Sequence, residues 1–347
     1  MVVLIGAAYV ATASLLVFHV WDVWLVMVAP LAAMLASFLV VTAWRQLTEE
    51  RAKRHIRGLF ANALSPALVD RLTEDPSLLK LGGERRVLSC YFSDLQGFTP
   101  LSKRLGEQGT VRLLNRYFDR MTEVIQNRQG GYLSKFMGDG IFVFFGAPIF
   151  QDDHAVRAVS SALDCQATLR AFNEELKAEL PEGLVSRIGI ATGDVMVGNC
   201  GSTDKFDYTA IGPTVNLASR LETANKFFGT NTLVDDATWK QAAPDSVVAR
   251  CLGKILVVGE NEPVTVWNPL GWRKDLSPDV AQSAEEFTRA IALYVARDFA
   301  AAAEILEKCH QAAPGDKAAG VYLDLCRGFA AQPPEAEWDG TVRLTEK

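Results

Sequence analysis

The sequence predicts a layered domain of mixed strands and helices, α+β or α/β, behind a pair of membrane-spanning helices and ahead of a short helical tail. Three observations predict it. Between residues 87 and 268, short apolar runs alternate with helix-length amphipathic stretches, the pattern of strands and helices sharing one sheet. Ahead of this region, 2–19 and 23–44 carry no charge. Behind it, 285–329 is rich in Ala and Leu at helical spacing.

At 347 residues, 49% hydrophobic and with a formal net charge of −6, the chain can build a sizeable core. The acidic balance argues against nonspecific nucleic-acid binding, which needs a basic field. Six scattered cysteines make no Cys-x-x-Cys pair, so reduced thiols are expected rather than a zinc site or disulfide scaffold.

Each uncharged run is about 20 residues, enough at about 1.5 Å per residue to span a bilayer. His19-Val20-Trp21-Asp22 is long enough for a tight hairpin, and Trp21, Trp24 and Trp44 fall at the interfaces. A signal peptide is the alternative for the first run, but it lacks a basic leader and a cleavage site. Arg45, Arg51, Lys53, Arg54 and Arg57 follow the second run. That asymmetry predicts a multi-pass protein of the cell (inner) membrane with its C-terminal bulk in the cytoplasm. Residues 1–44 are thus read as two transmembrane helices and 45–83 as a linker. Leu47, Ile56, Leu59, Phe60 and Leu64 form a stripe that fits the same helix of a second copy, or the chain's own domain.

From Val87 the expected order is strand (87–94), helix (107–128), hairpin (132–145), helix (152–178), strands (184–192 and 194–199), helix (214–227) and a strand-rich stretch to 268. Gly82-Gly83-Glu84-Arg85-Arg86 precedes the first strand. It only superficially resembles the signature of cyclic-dinucleotide synthases, having one acidic residue followed by arginines. After Asp275, three amphipathic helices (285–295, 299–312, 317–329) resemble about one tetratricopeptide-type hairpin. That is fewer than a free-standing solenoid needs. The tail over 276–347 should therefore pack on the preceding domain or on a protein partner.

Asp94 ends an apolar run three residues before Gly97, and Asp139 follows another between Gly138 and Gly140. Either aspartate alone reads as turn punctuation, and Asp139-Gly140 reads as a hairpin turn. Converging, they would be a hard-oxygen site for a divalent cation.

Four motifs decide between these readings. They are Phe92-Ser93-Asp94-Leu95-Gln96-Gly97-Phe98-Thr99, Lys135-Phe136-Met137-Gly138-Asp139, Arg187-Ile188-Gly189-Ile190-Ala191-Thr192-Gly193, and Asp207-Tyr208-Thr209-Ala210-Ile211-Gly212-Pro213-Thr214-Val215-Asn216-Leu217-Ala218-Ser219-Arg220-Leu221-Glu222. Together and in this order they resemble the class III adenylate/guanylate cyclase catalytic domain, over about 84–270. The resemblance implies an α+β fold with a ferredoxin-like βαββαβ core. The membrane pair, linker and tail also resemble bacterial adenylate cyclases of the CHASE2-associated type; no such sensor lies within these residues.

The resemblance implies the site residues as well. Asp94 and Asp139, with the Leu95 carbonyl, would hold two Mg²⁺ or Mn²⁺ ions per active site. Phe98 and Thr99 open a short helix whose N–H groups can face phosphate, and Arg187 would contact the polyphosphate. Lys135 and Thr209 would read the base, a lysine donor suiting adenine N1, so the resemblance implies ATP as substrate. Asn216 would orient the ribose, and Arg220 would stabilise charge on the transferring phosphate, as a planar always-charged fork can. The spacing i, i+4 puts these last two on one helix face. The metal aspartates and Arg187 would act with the other set from a second protomer, in a head-to-tail homodimer.

One departure stands out. In Leu256-Val257-Val258-Gly259-Glu260, Val258 replaces the family's usual polyphosphate lysine, and Lys254 is the candidate to compensate. The expected activity is conversion of ATP to 3′,5′-cyclic AMP and pyrophosphate, in signal transduction. The alternatives are a guanylate cyclase, or a cyclase-like protein that binds nucleotide or partners without turnover.

Overall fold

The computed structural model describes residues 33–44, 82–202, 206–242, 246–260 and 262–344, together with 8, 11 and 12. Two compact units are present, Met1–Ser77 and Leu78–Lys347. In the first, 33–44 is helical and leaves Leu35, Phe38, Leu39, Val40, Val41 and Trp44 exposed. Among the described residues no helix is long and apolar enough to cross a membrane. The run 2–19, the start of the second run and the linker to residue 81 lie largely or wholly outside the described residues.

The second unit is an α+β domain. It comprises β1 (Gly82–Leu95), α1 (Phe98–Thr122) running into a π-helical turn, β2 (Tyr132–Met137), β3 (Gly140–Phe145), α2 (His154–Leu176), β4 (Ser186–Gly201), β5 (Phe206–Ile211), α3 (Pro213–Phe228), β6 (Thr232–Asp235), α4 (Asp236–Ala242), β7 (Val247–Leu256) and β8 (Val264–Trp272). Then come α5 (Pro278–Val295), α6 (Phe299–Ala312), α7 (Lys317–Ala331) and β9 (Val342–Arg343). The strands form one sheet in the order β2-β3-β1-β4-β6-β8-β7-β9, and β5 pairs with β4. β1 is central and antiparallel to both β3 and β4. Its residues Tyr91 and Leu95 pack with Tyr117, Val159 and Phe172 in the core beneath α1 and α2.

Several boundaries differ from expectation. Gly82 and Gly83 belong to β1, where they pair with Asn199 and Gly198. Gly193 does not divide two strands: β4 runs through it, opposite Leu88. The space a side chain would fill at Gly193 is taken by Thr214 Oγ1, 2.7 Å from the Cβ position. β5 was not anticipated. α1 opens at Phe98, as the Gly97-Phe98-Thr99 motif implies, and breaks at Gly106, where φ is 66°. The hairpin loop is Gly138-Asp139 rather than Asp139-Gly140, since Met137 pairs with Gly140. Gly138 takes φ 66°, the conformation a two-residue hairpin loop requires.

The three tail helices form, the first starting at Pro278 rather than at 285, and Asp298 and Asp316 cap α6 and α7 by accepting from Ala301 and Ala318 N–H. The tail docks on the domain itself. Tyr322 stacks on Phe228 of α3 at 6.0 Å, its hydroxyl donates to the Leu252 carbonyl, and Cys251 N–H donates to Thr288 at 3.0 Å.

Candidate active site

The apolar run of β1 carries Asp94 to the strand end, and the β2–β3 loop brings Asp139 against it. Leu95 N–H donates to Asp139 Oδ2 at 3.3 Å. Across the sheet Arg187 is the register partner of Asp94. Burial, then the charge of Asp139, pushes the Asp94 carboxyl up to about 6, although Arg187 pulls it down. Two converging carboxylates, incompletely balanced by one guanidinium, are hard-oxygen donors short of positive charge. This donor set fits a divalent cation. Asp94, Leu95, Asp139 and Arg187 are thus brought together.

Phe98 packs against the core, so its side chain is structural and only its backbone is available to a phosphate. Thr99 is exposed, and its carbonyl accepts from Ser102 Oγ at 2.9 Å.

Lys135 and Thr209 come from strands distant in the chain, yet they meet through one residue. Ser134, beside Lys135 at an irregularity in β2, donates to Thr209 Oγ1 at 3.0 Å. Thr209 is buried and Lys135 half-buried. Nearby, the cross-strand partners Met196 and Ile211 are exposed, as are Phe136 and Met137.

Helix α3 starts at Pro213 and ends at Gly229 in the left-handed conformation, the expected start and stop signals. It lies directly on β4: a Cβ at Gly189 would stand 2.1 Å from Glu222 N and 2.2 Å from the Ala218 carbonyl oxygen. Glycine is what permits this approach. Asn216 and Arg220 share one face of α3. Arg220 is ion-paired with Glu260 on the turn after β7, not with Glu222 or Asp207, the partners its sequence neighbourhood offers. Glu222, two residues on, turns to the opposite side as the helical period demands. Burial first, then Asp94, pushes its carboxyl up to about 7. The described structure therefore does not join Arg220 to the aspartate pair; it points them to different sides of α3. Glu222, Ser134 and Glu260 were not singled out as site residues, and only the i+2 offset of Glu222 from Arg220 hinted at any of them.

Lys254 does not compensate for Val258. Its ammonium pairs with Asp339 of the tail at 3.0 Å, because β7 delivers it to the edge where β9 docks.

Residues 84–267 match the family described as the adenylate and guanylate cyclase catalytic domain. The chain is 36% identical over 188 residues to Adenylate cyclase 1 of Rhizobium meliloti, covering 54% of this chain and 28% of that protein. It is 28% identical to an adenylate cyclase of Anabaena cylindrica, covering 63% and 43%. The chain thus spans less than half the length of these relatives. Among solved structures, the adenylyl cyclase CyaB of P. aeruginosa superposes with a TM-score of 0.52 at 36% identity, covering 57% of this chain and all of that one. The guanylyl cyclase Cya2 gives 0.50 at 36% identity, covering 55% and 95%. The chain belongs to the class III adenylate and guanylate cyclase family through its catalytic domain.

Proposed function

We propose that this protein is an adenylate cyclase that closes ATP to 3′,5′-cyclic AMP at sites shared between two protomers. The observation that carries the proposal is the convergence of Asp94 and Asp139 opposite Arg187, while Arg220 points elsewhere on α3. Neither half can complete the reaction alone, and a head-to-tail homodimer supplies each half from a different chain. The exposed Phe136, Met137, Met196 and Ile211 favour such an interface.

In the reaction the ribose 3′ oxygen bonds to the α-phosphorus, the bond to pyrophosphate breaks, and the hydroxyl proton passes to water. Mg²⁺ or Mn²⁺ held by Asp94, Asp139 and the Leu95 carbonyl would acidify the hydroxyl and offset the leaving charge. Arg187 and the backbone at Phe98 and Thr99 hold the polyphosphate. Asn216 orients the ribose, and Arg220 meets the charge that grows on the transferring phosphate. Lys135 donates to adenine N1. Thr209, fixed by Ser134, accepts from the exocyclic amine.

Identity does not choose the base, because adenylyl and guanylyl cyclases match equally at 36%. Lys135 favours ATP. The uncharged runs and the exposed apolar helix over 33–44 support a membrane anchor, with the catalytic domain cytoplasmic. The likeness of the tail to a tetratricopeptide hairpin rests on its sequence pattern, and its outer face remains a candidate surface for a protein partner. Turnover of ATP and GTP with Mn²⁺ tests the proposal, beside Asp94→Ala and Asp139→Ala. Product from GTP alone would sink the base assignment, and no product from either nucleotide would favour binding without turnover.

A further inference from the structure

The turn after β7 sits on the face of α3 that carries Arg220. Glu260 N–H donates to the Val257 carbonyl at 3.1 Å, and Gly259 takes φ 81°. A Cβ on Gly259 would stand 3.1 Å from Arg220 Nη2. The turn thus lays its backbone along the guanidinium and sets the Glu260 carboxylate on Nη1. The turn is braced from behind. β9 pairs with β7 through Ile255–Val342 and Leu256–Arg343, Leu344 N–H donates to the Leu256 carbonyl at 3.0 Å, and Lys254 holds Asp339.

We propose that Glu260 is a positioning residue that restrains Arg220 on its own protomer until a nucleotide phosphate displaces it. This rests on the reading of Arg220 as the arginine that meets the transferring phosphate. Carboxylate and phosphate are rival anions for the same N–H donors, so a guanidinium occupied by Glu260 is not presented across the interface. Val258, within the turn, supplies no cation to draw Glu260 away. A cavity of about 760 Å³, bounded by Arg220, Thr223, Phe227, Val258, Lys317 and Leu344, gives the released side chain room to swing. The restraint is weak by construction, since the two side chains are 31% and 32% exposed. An ion pair of that kind is worth at most about fivefold in an equilibrium.

The test is steady-state kinetics of the full chain with ATP and Mn²⁺ for wild type, Glu260→Gln and Glu260→Asp, with thermal midpoints alongside. Glu260→Gln should raise kcat by about two- to fivefold with KM within about twofold, because the gain appears as charge develops on the phosphate. Its midpoint should not change. Glu260→Asp, which keeps the charge, should stay closer to wild type. If the wild type is active and Glu260→Gln is no faster, the restraint is refuted and the cyclase reading stands. A fall in kcat together with a lower midpoint would make Glu260 a structural brace and equally refute it. If no chain, variants included, forms cyclic product from ATP or GTP, the cyclase reading itself fails.

Discussion

Arg250 of β7 and Asp316 of the tail form a largely buried bidentate pair. Arg250 Nη2 lies 2.9 Å from Asp316 Oδ1 and Nη1 bonds Oδ2, while the guanidinium also covers the Phe287 ring at 4.6 Å. Asp316 does a second task as the N-cap of α7. Asp316→Asn should keep the cap but leave a buried cation unpaired, a loss of about 3 kcal/mol. Asp316→Ala should lose about 1 kcal/mol more, the worth of the cap. Urea unfolding of both variants would check the order, and equal stability of Asp316→Asn and wild type would contradict it.

Shared sites predict complementation. Asp94→Ala and Arg220→Ala chains should each be inactive alone. Mixed and allowed to exchange, half the dimers carry one intact site, so activity should recover to about a quarter of wild type. A mixture that stays inactive would count against catalytic halves from different chains.

Base choice should follow Lys135 and Thr209. Lys135→Glu with Thr209→Cys replaces a donor with an acceptor toward the purine. ATP turnover should fall by about tenfold or more and GTP turnover should appear, since an unpaired polar group in a specificity pocket is costly. Competition between the two nucleotides measures the ratio directly; an unchanged ratio would place base recognition elsewhere.

Glu222 predicts a pH dependence of stability. Its folded value of about 7 lies above its ordinary 4.5. Its stabilising contribution is thus fully present below about pH 4.5 and lost as pH rises through about 7. Glu222→Gln has no such loss. In EDTA it should be more stable than wild type by about 1–2 kcal/mol near pH 8, and indistinguishable from it near pH 4.5. Parallel melting curves across this range would show a constant offset if the burial argument is wrong.

Much of this domain is legible in the sequence because apolar periodicity and the glycine and proline signals act locally. α3, expected over 214–227, forms over Pro213–Phe228; the β2–β3 hairpin follows from its two apolar runs, and α6 and α7 from their amphipathic Ala- and Leu-rich spacing. The aspartate pair is legible only through its neighbouring motifs, since either residue alone is an ordinary turn former. What escaped was long-range. Gly193 resembles a break but is a close-packing position against Thr214. β5, as long as β2 and β3, is fixed by its pairing with β4 over Met196–Gly201, a contact its own residues do not encode. The ion pairs of Arg220 with Glu260 and of Lys254 with Asp339 join residues 40 and 85 positions apart, and no local pattern encodes either.

Gly189 sets a limit on how this protein can be controlled. With Glu222 N and the Ala218 carbonyl crowding the place where its Cβ would be, α3 rests on β4 backbone against backbone. The helix has no slack in which to slide or roll, so it behaves as a fixed lever mounted on the sheet. In the proposed homodimer, repacking whole protomers or turning a side chain such as that of Arg220 would leave this contact intact, whereas moving α3 within a protomer would disturb the strand that holds Arg187.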